Sequence, residues 1–233
     1  MGFHIAPMLL PDIPRCFDIY IASFANDVMG SIMLDVLYPG GITDEVRAGH
    51  AQATLEWLTH STSQYNFKCV DTDSGEIVGM VMADWYVHGR SEEERKFAGI
   101  PWLEGEHRER AEKILKPLWK AREKYIGGQP HIYCHVIGVD PTHQGRKAGA
   151  TICQFGKDFA EGAGVPLYFE ASPSTWKLYE KMGYELLDEP IVHKAEVLGT
   201  TNDISVPLMV LMPKKAGMSF KEWHRAGFPD YRK

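Results

Sequence analysis

The part of the sequence that most constrains the fold is a strand followed directly by a loop of small residues and then a helix. Residues 131–139 (HIYCHVIGV) are rich in β-branched and aromatic side chains, which predicts a strand. Beyond a loop at 140–147, apolar residues from Ala148 to Ala163 recur along one stripe, which predicts a helix. The first N–H groups of a helix lack internal partners, and its dipole places partial positive charge beside them. We therefore expect an anion to bind where this loop meets the helix.

The residue types in the loop suit a phosphate group. Four positions carry little or no side chain, so that a pyrophosphate can approach the backbone: Gly145, Ala148, Gly149 and Ala150. Arg146 and Lys147 add positive charge. A glycine-rich turn with solvated basic residues would have the same spacing, so the pattern alone leaves both interpretations open. The chain contains no Walker loop, and no Rossmann fingerprint follows this strand.

The remaining periodicities predict a mixed α+β sheet protein. We expect strands at residues 3–8, 66–71, 77–86, 131–139, 166–171, 184–187 and 206–212, and helices at 11–27, 44–60, 111–125, 148–163 and 172–182. Thr43 is expected to cap the second helix, Pro117 to kink or interrupt the third, and residues 29–43 to hold a turn. Because no linker separates two cores, we expect a single domain over 1–233, with an insert at about 86–130 and a surface tail at about 214–233.

Composition excludes several classes of protein. Lys and Arg total 25 against 31 Asp and Glu, so a general nucleic-acid binder, which carries excess positive charge, is not expected. No apolar run approaches the roughly 18 residues that span a bilayer, and no signal peptide is visible, so we expect a cytoplasmic protein without a membrane partner. The four cysteines lack C-x-x-C spacing, which indicates buried free thiols in a reducing compartment.

Residues 139–187 resemble the cofactor core of the GNAT superfamily of acetyl-CoA-dependent N-acyltransferases. The strand ends in Val-Asp-Pro at 139–141, and the loop follows the family pattern Q/R-x-x-G-x-G/A at Gln144 and Gly149. The segment LYEKMGY at 178–184 is similar to the family's L-Y-x-x-x-G-F/Y. There are two departures: Lys147 stands where the first loop glycine is usual, and Ser172 stands where many members have Asn.

The resemblance implies a fold and a way of holding acetyl-CoA. The fold is an α+β, three-layer arrangement in which helices flank a mixed, mostly antiparallel twisted sheet with splayed central strands. The pantetheine arm would pair with the backbone at Ile137, Gly138 and Val139, where Gly138 is the expected bulge, and would approach Ser172. The pyrophosphate would bind at the loop residues, which are Gln144, Gly145, Arg146, Lys147, Ala148, Gly149 and Ala150.

The resemblance also implies a catalytic acid, whereas the base is left open. Tyr179 matches the family's tyrosine, which protonates the departing thiolate. An attacking amine has a pKa near ~10 and must lose a proton, for which Glu170 and His135 are both candidates. His131 and His135 have a metal-like spacing, but in a strand their side chains would lie ~13 Å apart, so no metal is expected.

We therefore expect an enzyme that transfers an acetyl group from acetyl-CoA to the amine of a small molecule by direct attack on the thioester. An acceptor amine on a protein or peptide is an alternative, as is a non-catalytic acyl-CoA-binding regulator with the same fold. Aromatic residues in the 86–125 insert could line the acceptor side, although a helix covering the sheet would carry them equally well. The oligomeric state is open, with a homodimer as one option.

Overall fold

The computed structural model describes residues 2–232, which form nine strands and eight α-helices. The strands are β1 Phe3–Pro7, β2 Gln64–Asp71, β3 Ile77–Tyr86, β4 His131–Val139, β5 Leu167–Glu170, β6 Glu185–Leu186, β7 Ile191–His193, β8 Ile204–Val206 and β9 Leu208–Leu211. The helices are α1 Ile13–Ala25, α2 Val28–Leu37, α3 Asp44–His60, α4 Gly105–Tyr125, α5 Ala148–Ala163, α6 Trp176–Lys181, α7 Ala195–Leu198 and α8 Phe220–Arg225.

The main sheet has seven strands in the order β1-β2-β3-β4-β5-β9-β6, and β7 and β8 form a separate pair. The pairs β1–β2, β2–β3, β5–β9 and β6–β9 are antiparallel. This mixed, mostly antiparallel sheet flanked by helices confirms the predicted fold class. The described chain divides into two compact units: residues 2–85 with 133–159, and residues 86–132 with 160–232. The expectation of a single domain stays a prediction.

In the first unit, helices cover both faces of the strands. Met80 of β3 packs in a core with Ile13, Cys16 and Ile19, which all belong to α1. A Cβ atom added to the preceding Gly79 would lie 2.9 Å from Ile152 of α5. Because successive residues of a strand point to opposite faces, α1 and α5 lie on opposite sides of β3. Strand β3, the neighbour of β4 in the sheet, is thus covered by a helix on each face.

The ends of the helices follow local capping chemistry, and α2, α7 and α8 were not predicted. Thr43 caps α3 as predicted, since its Oγ1 accepts a hydrogen bond from the N–H of Val46 at 3.3 Å. The expected turn is present at 39–41, where the N–H of Gly41 donates to the carbonyl of Tyr38 at 2.8 Å. The residues before it, 28–37, form helix α2, which the sequence did not predict. Asp27 begins this helix by accepting a hydrogen bond from the N–H of Gly30 at 2.9 Å. Its N-cap role was hidden because the apolar spacing of α1 continues as far as Val28.

In the second unit, two expectations need correction. Helix α4 continues through Pro117, so the proline does not interrupt it, while the alternative of a kink stays a prediction. The tail at 214–233 is not a purely surface segment: it contains α8, in which Phe220 and Trp223 are buried. Ser219 starts this helix with a capping box, which places the two aromatic residues three apart on one face.

All four cysteines are buried free thiols, as the sequence indicated. Among residues 2–232, no helix combines the length and apolar character needed to cross a membrane.

Candidate active site

The end of β4 is held by Asp140. Its carboxylate accepts hydrogen bonds from Thr142 N at 2.9 Å and Thr142 Oγ1 at 2.6 Å, and from Arg15 Nη2 at 2.5 Å. Its own N–H donates to the carbonyl of Val78 at 2.9 Å. Burial would raise the pKa of Asp140, but these donors outweigh it and lower the pKa to about 2. The strand therefore enters the loop at a fixed point.

The loop contains two residues in the left-handed conformation. Gly145 and Lys147 both have φ of 75°. A side chain in that region costs roughly 1–2 kcal/mol, so Lys147 carries strain that the usual glycine would avoid. The carbonyl of Lys147 accepts the N–H of Thr151 at 2.9 Å, which starts α5. The lysine thus keeps the backbone conformation that glycine favours.

The backbone of the loop leaves room for a bulky anion. A Cβ atom on Gly145 would meet nothing within 4 Å, and one on Gly149 would meet only Val139, at 3.7 Å. The N–H groups in the first turn of α5 have no partner within the helix. The backbone around Gly145 and Gly149 is therefore an open cradle, which fits the pyrophosphate expected at this loop.

The two basic residues of the loop have different surroundings. Arg146 Nη2 lies 2.6 Å from a carboxylate oxygen of Asp71, which is the last residue of β2. The guanidinium also lies over the ring of Phe3, at 5.7 Å. Lys147 is exposed and forms no ion pair within the described part of the chain. Arg146 thus anchors the loop, and Lys147 is the basic side chain available to an incoming anion.

The strand before the loop needs glycine for packing. A Cβ atom on Gly138 would lie 2.9 Å from Ser23 Oγ and 3.5 Å from Ile19, because α1 crosses the strand there. Ile137 and Val139 on either side are half-buried. The expected bulge at Gly138 stays a prediction. A register shift is present elsewhere in the sheet, between β2 and β3 at Cys69/Val70.

His135 on β4 forms a hydrogen bond that the sequence did not predict. Its Nε2 lies 2.7 Å from Oδ2 of Asp84 on β3. Asp84 is buried, whereas 28% of the His135 side chain is exposed. Because a carboxylate only accepts, Nε2 carries the proton in this pair, and in a neutral imidazole Nδ1 is left as the acceptor. The only sequence signal for Asp84 was an acidic residue in an otherwise apolar strand, IVGMVMADWY.

The other predicted site residues belong to the second unit. Glu170 ends β5, where it pairs with Leu208 of β9 and is half-buried. The Tyr179 ring on α6 packs edge-on against Phe169 at 4.8 Å between centroids. It also lies 5.9 Å from the ring of Tyr184.

The hydroxyl of Ser172 takes part in the turn that precedes α6. It lies 2.9 Å from Ser174 Oγ and accepts a hydrogen bond from the N–H of Ser174 at 3.2 Å. Its proposed approach to a pantetheine arm stays a prediction. Residues 2–232 contain no group of three or more His, Cys, Asp or Glu side chains arranged to hold a metal ion.

Comparison with known proteins agrees with this architecture. Residues 42–184 match the family described as Acetyltransferase (GNAT) family. A curated relative, Probable acyltransferase SID5 of Ajellomyces capsulatus, is 30% identical over 137 residues, which cover 58% of this chain and 95% of that protein.

Two solved structures are similar in fold. The C-terminal condensation domain of Ebony has a TM-score of 0.61 at 13% identity, covering 91% of this chain and 99% of that one. A protein of Corynebacterium glutamicum, described as histone acetyltransferase HPA2 and related acetyltransferase, has a TM-score of 0.57 at 17% identity over 91% of this chain and 97% of that one. The family match covers more than half of the sequence, and this chain therefore belongs to the GNAT acetyltransferase family and is an acyltransferase.

Proposed function

We propose that the protein transfers an acetyl group from acetyl-CoA to the amine of a small molecule, with His135 as the general base. The hydrogen bond between His135 and Asp84 carries this proposal, because it gives an imidazole a fixed orientation on the strand that leads into the open loop. A carboxylate that holds one ring nitrogen leaves the other free to accept a proton. Non-catalytic binding of acyl-CoA would not need this pair.

The loop residues bind the pyrophosphate of coenzyme A. Backbone N–H groups of 148–150 donate to it, and the exposed Lys147 ammonium adds charge. Arg146 positions the loop through Asp71. The backbone of Ile137, Gly138 and Val139 pairs with the pantetheine arm, which also approaches Ser172. Acetyl-CoA supplies a thioester carbonyl open to attack and a thiol that can leave.

Proton transfer is divided between two residues. An amine reaches the site mainly as its ammonium form and must lose a proton before it can attack. His135 accepts that proton, and we prefer it to Glu170 because its buried partner Asp84 fixes the tautomer. Tyr179 donates a proton to the departing thiolate. Four buried free thiols support a reducing compartment such as the cytoplasm. A homodimer stays one option for the assembly.

The experiment is a screen of amines and peptides with acetyl-CoA, in which release of free thiol is measured. We expect thiol release that depends on a small amine and that falls about 10²–10⁴-fold in His135→Gln. Release with peptides alone would assign a protein acceptor. Binding of coenzyme A without release for any acceptor would instead identify a non-catalytic regulator.

A further inference from the structure

A buried tyrosine packs against the imidazole of His135. Tyr133 lies two residues before His135 on β4, so both side chains point to the same face of the strand. Their ring centroids are 4.4 Å apart, and the ring planes meet at 68°. Tyr133 is only 8% exposed, whereas 28% of the His135 side chain is exposed. The tyrosine therefore forms an inner wall beside an imidazole that is open to solvent.

The hydrogen bond to Asp84 does not by itself fix the tilt of the imidazole. That bond, from Nε2 of His135 to Oδ2 of Asp84 at 2.7 Å, sets the position of one ring nitrogen. The torsion of a histidine ring about its Cβ–Cγ bond has a broad range. Because hydrogen bonds weaken steeply only at strongly bent angles, the ring could tilt by roughly 30° with this bond intact. Nδ1 would change direction with it.

A second contact is therefore needed to fix the direction of Nδ1. We propose that Tyr133 is a positioning residue for the base: its ring restricts the tilt of the His135 imidazole, so that Nδ1 points towards the acceptor amine. The inference rests on the proposed function, because Nδ1 is the nitrogen that accepts the proton there. Nearly perpendicular rings in close contact form the edge-to-face arrangement that aromatic pairs favour. A tilt of the imidazole disturbs that arrangement.

The contact depends on the ring of Tyr133 and not on its hydroxyl. Tyr133→Phe should therefore keep the kcat of wild type. Tyr133→Leu fills much of the space without an aromatic ring, and it should lower kcat roughly 2-fold to 10-fold, the range that an aromatic pair contributes beyond its buried area. KM for the amine should change little in either variant, because Tyr133 is buried and acts only through His135.

The test is a double-mutant cycle that combines Tyr133→Leu with His135→Gln. If Tyr133 orients the imidazole, Tyr133→Leu should have no further effect once the imidazole is absent. A general loss of packing would instead lower kcat by the same factor in both backgrounds. Thiol release is measured near neutral pH with one small amine, and kcat is expressed per molecule of coenzyme A bound. Tyr133→Met replaces Tyr133→Leu in the cycle if the leucine variant does not fold.

Phe67→Leu is the matched control. Phe67 of β2 is also 8% exposed, and its ring packs edge-on against Phe155 at 4.9 Å between centroids. It pairs with Val81, which is three residues from Asp84, so Phe67 points to the opposite face of the sheet. Any effect of Phe67→Leu on kcat should be the same in wild type and in His135→Gln.

The outcomes separate the two proposals. The expected result is a loss in Tyr133→Leu that is confined to the protein with His135 and that shrinks at high pH together with the effect of His135→Gln. Equal factors in the two backgrounds, no loss in Tyr133→Leu, or an equal loss in Tyr133→Phe would overturn the positioning role while His135 remained the base. If His135→Gln is as active as wild type, or no acceptor gives thiol release, the proposed function is wrong and this inference falls with it.

Discussion

His135 Nε2 and Asp84 Oδ2 lie 2.7 Å apart, on residues separated by 51 positions in the chain. The pairing links two strands of the first unit. It joins the buried carboxylate of Asp84 to an imidazole that is 28% exposed. We propose His135 rather than Glu170 as the base because this bond fixes the orientation of the imidazole.

The loop cradle predicts that Gly149 tolerates a methyl group but not a large acid. Gly149→Glu should abolish coenzyme A binding, because the side chain fills the approach to the helix N-terminus and repels phosphate. Gly149→Ala is the matched control: its Cβ would meet only Val139, at 3.7 Å, so the fold should be retained. Calorimetry with coenzyme A measures both. Unchanged affinity in Gly149→Glu would place the binding site elsewhere.

Replacing Lys147 by glycine should have two opposing effects on stability. Lys147→Gly relieves the left-handed strain but adds chain entropy to the unfolded state, so stability should rise by about 1 kcal/mol or less. Coenzyme A affinity should become less dependent on salt, because a screened charge contact is lost. Melting curves and titrations at two ionic strengths test this. The same salt dependence in both proteins would exclude a direct contact from the lysine.

Because His50 is buried, we expect the protein to lose stability in mild acid. Its ring stacks on Phe17 with 3.9 Å between centroids, and burial lowers its pKa to about 4. Both states are neutral above the unfolded pKa of about 6.5. As the pH falls from there to about 4, the unfolded chain binds a proton that the folded chain does not, so the free energy of unfolding decreases.

His50→Gln should flatten this part of the pH profile, which denaturant titrations at several pH values would measure. His193, whose pKa is also lowered by burial, should leave a residual slope. Parallel profiles for His50→Gln and wild type between pH 6.5 and 4 would rule out this role.

Removing the Tyr179 hydroxyl should lower kcat without weakening the binding of coenzyme A. Tyr179→Phe keeps the packing against Phe169 and removes only the hydroxyl. We expect kcat to fall by about 10²–10⁴-fold while coenzyme A affinity stays the same, and we expect no recovery at high pH. Steady-state kinetics with an identified acceptor measure this. Wild-type kcat in the variant would favour water or the substrate as the acid.

Local patterns predicted much of the fold. Residues 77–86 and 131–139 are strands with the predicted bounds, and the predicted helix at 148–163 matches α5, because each has a clear periodicity and a clear end. Helix α2 was missed since its start lies within an apolar spacing shared with α1. The burial of Phe220 and Trp223 was missed because packing against distant elements leaves no local signal.

Only the parts of the site that belong to a sequence motif could be predicted. The loop at 144–150 was found from its small residues, but its left-handed Lys147 follows from how the loop enters α5. The pairing of Asp84 with His135 depends on which strands are neighbours and in which register. Those are long-range properties that one sequence does not contain in its spacing.

The role of His135 as the base is best tested by measuring kcat of wild type and His135→Gln across a pH series with one small amine, with Glu170→Gln as the comparison. If His135 is the base, His135→Gln should lower kcat strongly near neutral pH. The decrease in kcat should become smaller at high pH, where the amine increasingly loses its own proton. Asp84→Asn should show a smaller loss of the same form, and Glu170→Gln should follow wild type. A constant ratio of wild type to His135→Gln at every pH, or a pH-dependent loss in Glu170→Gln instead, would contradict the account.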